Sequence, residues 1–176
     1  MGDLPDVGAS QLTERQLAAL AELGSLLDSA GLDSWLFGGW AVDFHAGRIT
    51  RVHDDLDVAV WAEDADAVAS LLGRSAWRLA PEPGDQGWTG YTRDGLLVEL
   101  TYVVRDDAGR IFVPLPDGSV LWSEESFGNE VRELHGVRAR VVPLHVLRGD
   151  KSSPREDPGA AAKDRVDLDA LSGLDP

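Results

Sequence analysis

The chain has no cysteine, one methionine and only two lysines, Lys151 and Lys163, in 176 residues. Without cysteine there are no disulfides and no thiolate metal sites. Lys and Arg together number 16 against 31 Asp and Glu, a formal charge of −15. That balance argues against duplex nucleic acid as a partner, since phosphate binding rests on clustered Lys and Arg. It favours cationic small molecules and metal ions, and it serves solubility equally well. No stretch approaches the roughly 20 apolar residues of a membrane span. The opening "MGDLPDVGASQLTERQ" lacks a basic start and an apolar core, so it does not read as a signal peptide, and Asp6 departs from the myristoylation pattern. The expectation is a soluble, cytoplasmic protein with no membrane partner.

What is present suits one domain. An apolar fraction of 43% over this length supports a substantial core. We expect a single unit over 1–176, with a helical C-terminal segment from about residue 143. Thr13 and Gln16 fit a capping box, so a first helix is expected to begin at Thr13, with Leu20, Leu23 and Leu27 as its apolar stripe and Gly31 as its stop. "SWLF" from Ser34 reads as a strand, "WAVDFHA" as a short helix ended by Gly47, "DLDVAV" as a strand and "EDADAVASLLG" as a helix. Arg93-Asp94-Gly95 and Pro116-Asp117-Gly118 mark two hairpins, and "VRARVV" is a further strand. "AAAKDRVDLDALSG" closes the chain as an amphipathic helix that offers Val166, Leu168 and Leu171 for burial. The order predicts an α+β fold, a mixed β-sheet flanked by helices.

The chemistry concentrates in "GGWAVDFHAGRITRVHDDLDVAV", Gly38 to Val60. Asp55 and Asp57 share one face of a strand, with carboxylates about 7 Å apart along it. Such a pair can converge on a divalent cation, and Mg²⁺ suits oxygen ligands that act together with substrate phosphates. Asp54 falls on the other face. "LLVELTYVV" is apolar except for Glu99 and Thr101, and Glu is seldom buried unpaired. Glu99 therefore either completes an acidic trio or forms a salt bridge to Arg51 or Arg93. Gly38 and Gly39 lie between a strand and a helix N-terminus, where a phosphate can approach the backbone.

These residues resemble the polymerase-β-like nucleotidyltransferase superfamily, in which Gly-Gly, a short helix and Asp-x-Asp on a strand recur in that order. The longer segment is similar to the small antibiotic nucleotidyltransferases of the aminoglycoside 2''-type and the lincosamide type. The likeness is strong over residues 34–61 and weaker at Glu99 and at "KDRVDLDAL" from Lys163. Two departures stand out. Trp40 follows the glycines where many superfamily members carry Ser, and Glu99 stands where the aminoglycoside type commonly has Asp.

The resemblance implies Mg-dependent transfer of a nucleoside monophosphate, AMP from ATP, to a hydroxyl of a small antibiotic, with release of pyrophosphate. Two Mg²⁺ ions would be held by Asp55, Asp57 and Glu99. Glu99 would ligate metal, accept the hydroxyl proton, or both. The Gly38 and Gly39 amides would hold phosphate oxygens, with Arg51 and Lys163 as further nucleotide contacts. Arg51 has a structural alternative in pairing with Asp54 or Asp57, and Lys163 in lying exposed on its helix. The acidic balance points to an aminoglycoside acceptor. A lincosamide is the nearest alternative, and a toxin–antitoxin-type protein of the same fold, acting on or binding a macromolecule, is the other. Asp43 is placed to position substrate or brace Arg48, His53 reads as structural, Trp88 and Tyr91 as packing residues, and Glu82 and Asp85 as a loop that could attract a cation.

Overall fold

The computed structural model describes residues 7–80 and 87–175 of the chain. Its elements run α1 (Val7–Ser29), β1 (Ser34–Leu36), α2 (Gly38–Ala46), β2 (Leu56–Trp61), α3 (Ala65–Arg74), β3 (Arg78–Leu79), β4 (Trp88–Arg93) and β5 (Leu96–Arg105). They continue with β6 (Ile111–Leu115), β7 (Gly118–Trp122), β8 (Val131–Leu134), β9 (Val137–Arg140), α4 (Leu144–Lys151) and α5 (Pro158–Leu171). The main sheet has the order β1-β2-β5-β4-β3, and β6 and β7 extend it from the far end of β5. The β2–β5 pair is parallel, whereas the other ladders are antiparallel. This is the expected α+β architecture.

Alternation builds the sheet's two faces. On β2, Leu56, Val58 and Val60 are buried, and on β5 so are Leu96, Val98 and Leu100. Asp57 and Glu99 occupy the opposite face. Leu20, Leu23 and Leu27 of α1 are buried in the same core, and Leu20 and Leu23 share a cleft with Leu36 and Val58. Tight turns fix the registers. Asp94 and Gly95 both take positive φ, as a two-residue turn between Arg93 and Leu96 requires. His135 and Gly136 do the same between β8 and β9, a hairpin of which only the second strand was expected.

Two expectations are corrected. The first helix does not start at Thr13: α1 already runs from Val7, and the Thr13 hydroxyl donates to the Ala9 carbonyl at 3.0 Å. Gln16 does not complete a capping box; it is buried and donates from Nε2 to the His53 carbonyl at 3.0 Å. Of the residues expected to be buried on α5, Leu171 is buried and Leu168 partly so, but Val166 is not. Val166 is exposed, and Asp164, Asp167 and Leu171 face inward at i, i+3 and i+7. Two aspartates turn inward because cations wait for them there.

Candidate active site

Parallel pairing of β2 with β5 sets Asp57 beside Glu99. Asp55, just before β2, joins them. One carboxylate oxygen from each of Asp55, Asp57 and Glu99 lies within 4.8 Å of the others. The acidic trio expected from sequence is therefore assembled. All three side chains are partly buried. Burial, then the charges of Asp55 and Glu99, push the Asp57 carboxyl up from 3.8 to about 8, against the opposing pull of Lys151 and Arg51. A carboxylate so disfavoured in the bare protein is one that a cation would return to its charged form. Three hard oxygen donors in this arrangement fit a divalent ion such as Mg²⁺.

The glycines are explained by what they touch. Gly38 opens α2 with φ +64, and a Cβ on it would overlap the Asp57 carboxylate. The Phe37 N–H donates to the Asp57 carbonyl at 3.1 Å, which ties the helix start to β2. A Cβ on Gly39 would fall 2.5 Å from His53 Nδ1 and would also meet the Arg51 guanidinium. The first-turn N–H groups of α2 are free of helical acceptors, as at any helix N-terminus.

Behind the glycines lies a buried polar brace. Asp43 is fully buried; it pairs with His53 Nε2 at 2.7 Å and accepts from the Thr50 N–H at 3.0 Å and from the Thr50 hydroxyl. The Trp40 ring packs on the His53 ring at 4.8 Å between centroids. This brace fixes the segment from Thr50 to His53, just ahead of Asp55. His53 is structural, as expected, and Asp43 holds this segment in place.

Arg51 pairs with neither Asp54 nor Asp57. Its guanidinium makes two bonds to Asp167, at 2.8 and 3.0 Å. Lys151 lies between Asp164 at 3.1 Å and Asp167 at 3.0 Å, nearly buried. Burial alone would lower the Lys151 pKa, but the two aspartates outweigh it and the net shift is upward. Arg155 closes the far side on Asp164 at 2.7 Å. Lys163 bonds Asp54 at 2.6 Å near the surface, and that bond raises the lysine and lowers the aspartate. Lys151 was not among the expected site residues, yet its charge reaches Asp57. Its signal was spacing: Leu144, Leu147 and Lys151 lie at i, i+3 and i+7 on one buried face of α4.

Other expected residues lie apart from the trio's own contacts. Arg93 pairs with Glu22 at 2.7 Å, and Arg51 pairs with Asp167. Tyr91 is buried and Trp88 partly so, in keeping with packing roles. Glu82 and Asp85 lie outside the described residues.

A mixed sheet flanked by helices, with two aspartates at one strand and a glutamate on its parallel neighbour, is what the resemblance to the nucleotidyltransferases implied. Residues 19–169 match the family model described as Aminoglycoside-2''-adenylyltransferase, and the chain belongs to that family. A 2''-aminoglycoside nucleotidyltransferase of Escherichia coli is 34% identical over 61 residues, which cover 33% of this chain and 34% of that relative. One from Klebsiella pneumoniae aligns to the same extent. The aligned stretch thus spans about a third of these relatives' length. Among solved structures, lincomycin-bound lincosamide adenylyltransferase LnuA superposes with a TM-score of 0.68 at 17% identity, over 86% of this chain and 92% of that one. The solution structure of the antibiotic-resistance factor ANT(2'')-Ia gives 0.67 at 18%, over 90% and 85%. At these identities the likeness is one of fold.

Proposed function

We propose that the chain transfers a nucleoside monophosphate, AMP from ATP, to a hydroxyl of an aminoglycoside and releases pyrophosphate. The observation that carries this reading is the convergence of Asp55, Asp57 and Glu99 at the glycine-opened start of α2. In the proposal, Asp55 and Asp57 hold Mg²⁺, with Glu99 as a third ligand. When bound, the metal draws charge from the phosphates and acidifies the acceptor hydroxyl. Glu99 accepts the proton as the hydroxyl oxygen bonds to the α-phosphorus and the bond to pyrophosphate breaks. The Gly38 and Gly39 N–H groups, at the positive end of α2, bind phosphate oxygens. Lys151 and Arg51 lower the negative potential at Asp57, so they favour a triphosphate there. Lys163 is one salt bridge away and can exchange Asp54 for phosphate.

The aminoglycoside is favoured by family membership and by the charge of −15. Its binding should weaken as salt screens the field beyond about 8–10 Å. The test is a panel of aminoglycosides and lincosamides with ATP and Mg²⁺, read by pyrophosphate release. Turnover of at least one aminoglycoside, with KM rising with salt, is expected. Turnover of lincosamides alone would replace the acceptor, and no turnover of any compound would overturn the reading.

A further inference from the structure

Asp167 stands on α5 with its side chain fully enclosed, and it holds cations from two other elements. Arg51, from the loop before β2, meets it through Nε at 2.8 Å and Nη2 at 3.0 Å. Lys151, at the end of α4, meets it through Nζ at 3.0 Å. Arg51 Nη2 and Lys151 Nζ reach the same oxygen, Oδ2. We propose that Asp167 is a positioning residue for nucleotidyl transfer: its one carboxylate sets Arg51 and Lys151 side by side, as a paired rest for the phosphates that leave as pyrophosphate. The proposal rests on the nucleotidyl-transfer reading above and adds to it the residue that holds the two cations together.

Three observations carry it. The first is where the cations lie. The charges of both are felt at Asp57, and that of Arg51 at Asp55 as well. A Cβ on Gly39 would overlap Arg51 Nη2, so the guanidinium stands at the opening turn of α2. The second is their spare capacity. Arg51 commits three of its five N–H donors, two to Asp167 and one to the Val52 carbonyl at 3.2 Å. Lys151 commits two of its three, to Asp164 and Asp167. Among the described residues no further acceptor takes the rest, and phosphate oxygens suit both a guanidinium and an ammonium. The third is energetic. Enclosing these charges is unfavourable, and apolar side chains of similar size would join α4 to α5 at least as firmly. Stability alone therefore does not account for the network, whereas an action on a ligand beside it does.

Positioning and charge predict opposite signs. Asp167 is an anion near the proposed phosphate site. If its field were all that mattered, neutralising it would tighten polyphosphate binding. If it holds the cations in place, neutralising it frees two long side chains, which must then be ordered again by the ligand, and binding weakens.

Calorimetric titration of the whole chain with inorganic tripolyphosphate and Mg²⁺ reads that sign. Asp167→Asn should weaken tripolyphosphate about ten- to a hundredfold and raise the ATP KM to a like extent, with the acceptor KM within about twofold. A merely structural role would lower only the binding stoichiometry and kcat, through the folded fraction, and leave the dissociation constant alone. A second measurement uses the wild type and needs no variant to fold. Its Arg51 Nε–H resonance should shift when tripolyphosphate and Mg²⁺ are added and stay protected from solvent exchange, because the bond to Asp167 persists. Tighter or unchanged tripolyphosphate binding in Asp167→Asn would overturn the proposal, as would an Arg51 resonance that is unmoved or that loses its protection. A wild type that binds neither ATP nor tripolyphosphate would instead defeat the nucleotidyl-transfer reading beneath it.

Discussion

Replacing Asp57 by Asn should stabilise the metal-free protein while abolishing its metal response. The Asp57 carboxyl stands at about 8 in the folded chain against an ordinary 3.8, chiefly through burial and then through Asp55 and Glu99. Below pH 3.8 it is protonated in both folded and unfolded chains and costs nothing. As pH rises, the unfolded carboxyl ionises freely and the folded one does not, so stability falls progressively until about pH 8. At pH 7 the gap from the ordinary value is about three units, which bounds the loss at about 4 kcal/mol. Adjustment of the neighbouring carboxylates and access of water reduce this, and we expect about 1–3 kcal/mol. Asn carries no such penalty. In a chelator, Asp57→Asn should therefore melt about 3–10 °C above the wild type at pH 7.5 and close to it at pH 4. Millimolar Mg²⁺ should raise the wild-type midpoint and leave the variant's unchanged. Calorimetric melts across pH 4–8.5, with and without Mg²⁺, decide the matter. A variant that melts at or below the wild type throughout that range in chelator would refute the account of Asp57.

Three further outcomes are expected. Glu99→Gln should lower kcat about 10²–10⁴-fold with little change in nucleotide KM, measured by pyrophosphate release; a change of only a few-fold would remove the proton-accepting role. Gly38→Ala forces φ +64 on a Cβ residue, at about 1–2 kcal/mol, and sets that Cβ into the Asp57 carboxylate. It should keep its circular dichroism and lose Mg²⁺ binding in titration calorimetry. Asp167→Asn removes the charge that Arg51 and Lys151 share and should cost about 3–5 kcal/mol in urea denaturation, because two enclosed cations lose their counter-charge.

Much of the site was legible because its residues are close in sequence and periodic. Asp55 and Asp57 obey the period of two, and the lone Glu99 in an apolar strand announced a special environment. Gly38 and Gly39 were recognised, but the reason was not: their need comes from the side chains of Asp57, His53 and Arg51, a close approach no spacing reveals. Arg51 found Asp167 and not Asp54, although Asp54 is three residues away, because α5 brings an enclosed carboxylate across the fold. The same event misled the reading of α5. Hydrophobicity favoured Val166 for burial, but the inward face is chosen by Lys151, Arg51 and Arg155. Thr13 had the composition of a cap, yet α1 begins at Val7 and the Thr13 hydroxyl bonds back to the Ala9 carbonyl within the helix.

The parallel register of Asp57 with Glu99 also bears on how the protein acquires its chemistry. Hairpins such as β4–β5 and β8–β9 close quickly through short turns. The β2–β5 ladder cannot, since its partners, such as Leu56 and Val98, are far apart in sequence and the chain between them must be gathered before its first pair forms. Long-range parallel pairing of this kind slows folding. The carboxylate trio therefore does not exist in any local fragment of the chain: a nascent protein that has emerged through β2 carries two of its acids and not the third. Divalent-ion affinity should consequently appear late in refolding, together with the last cooperative step, and serve as a kinetic marker for docking of the β4–β5 hairpin onto β2.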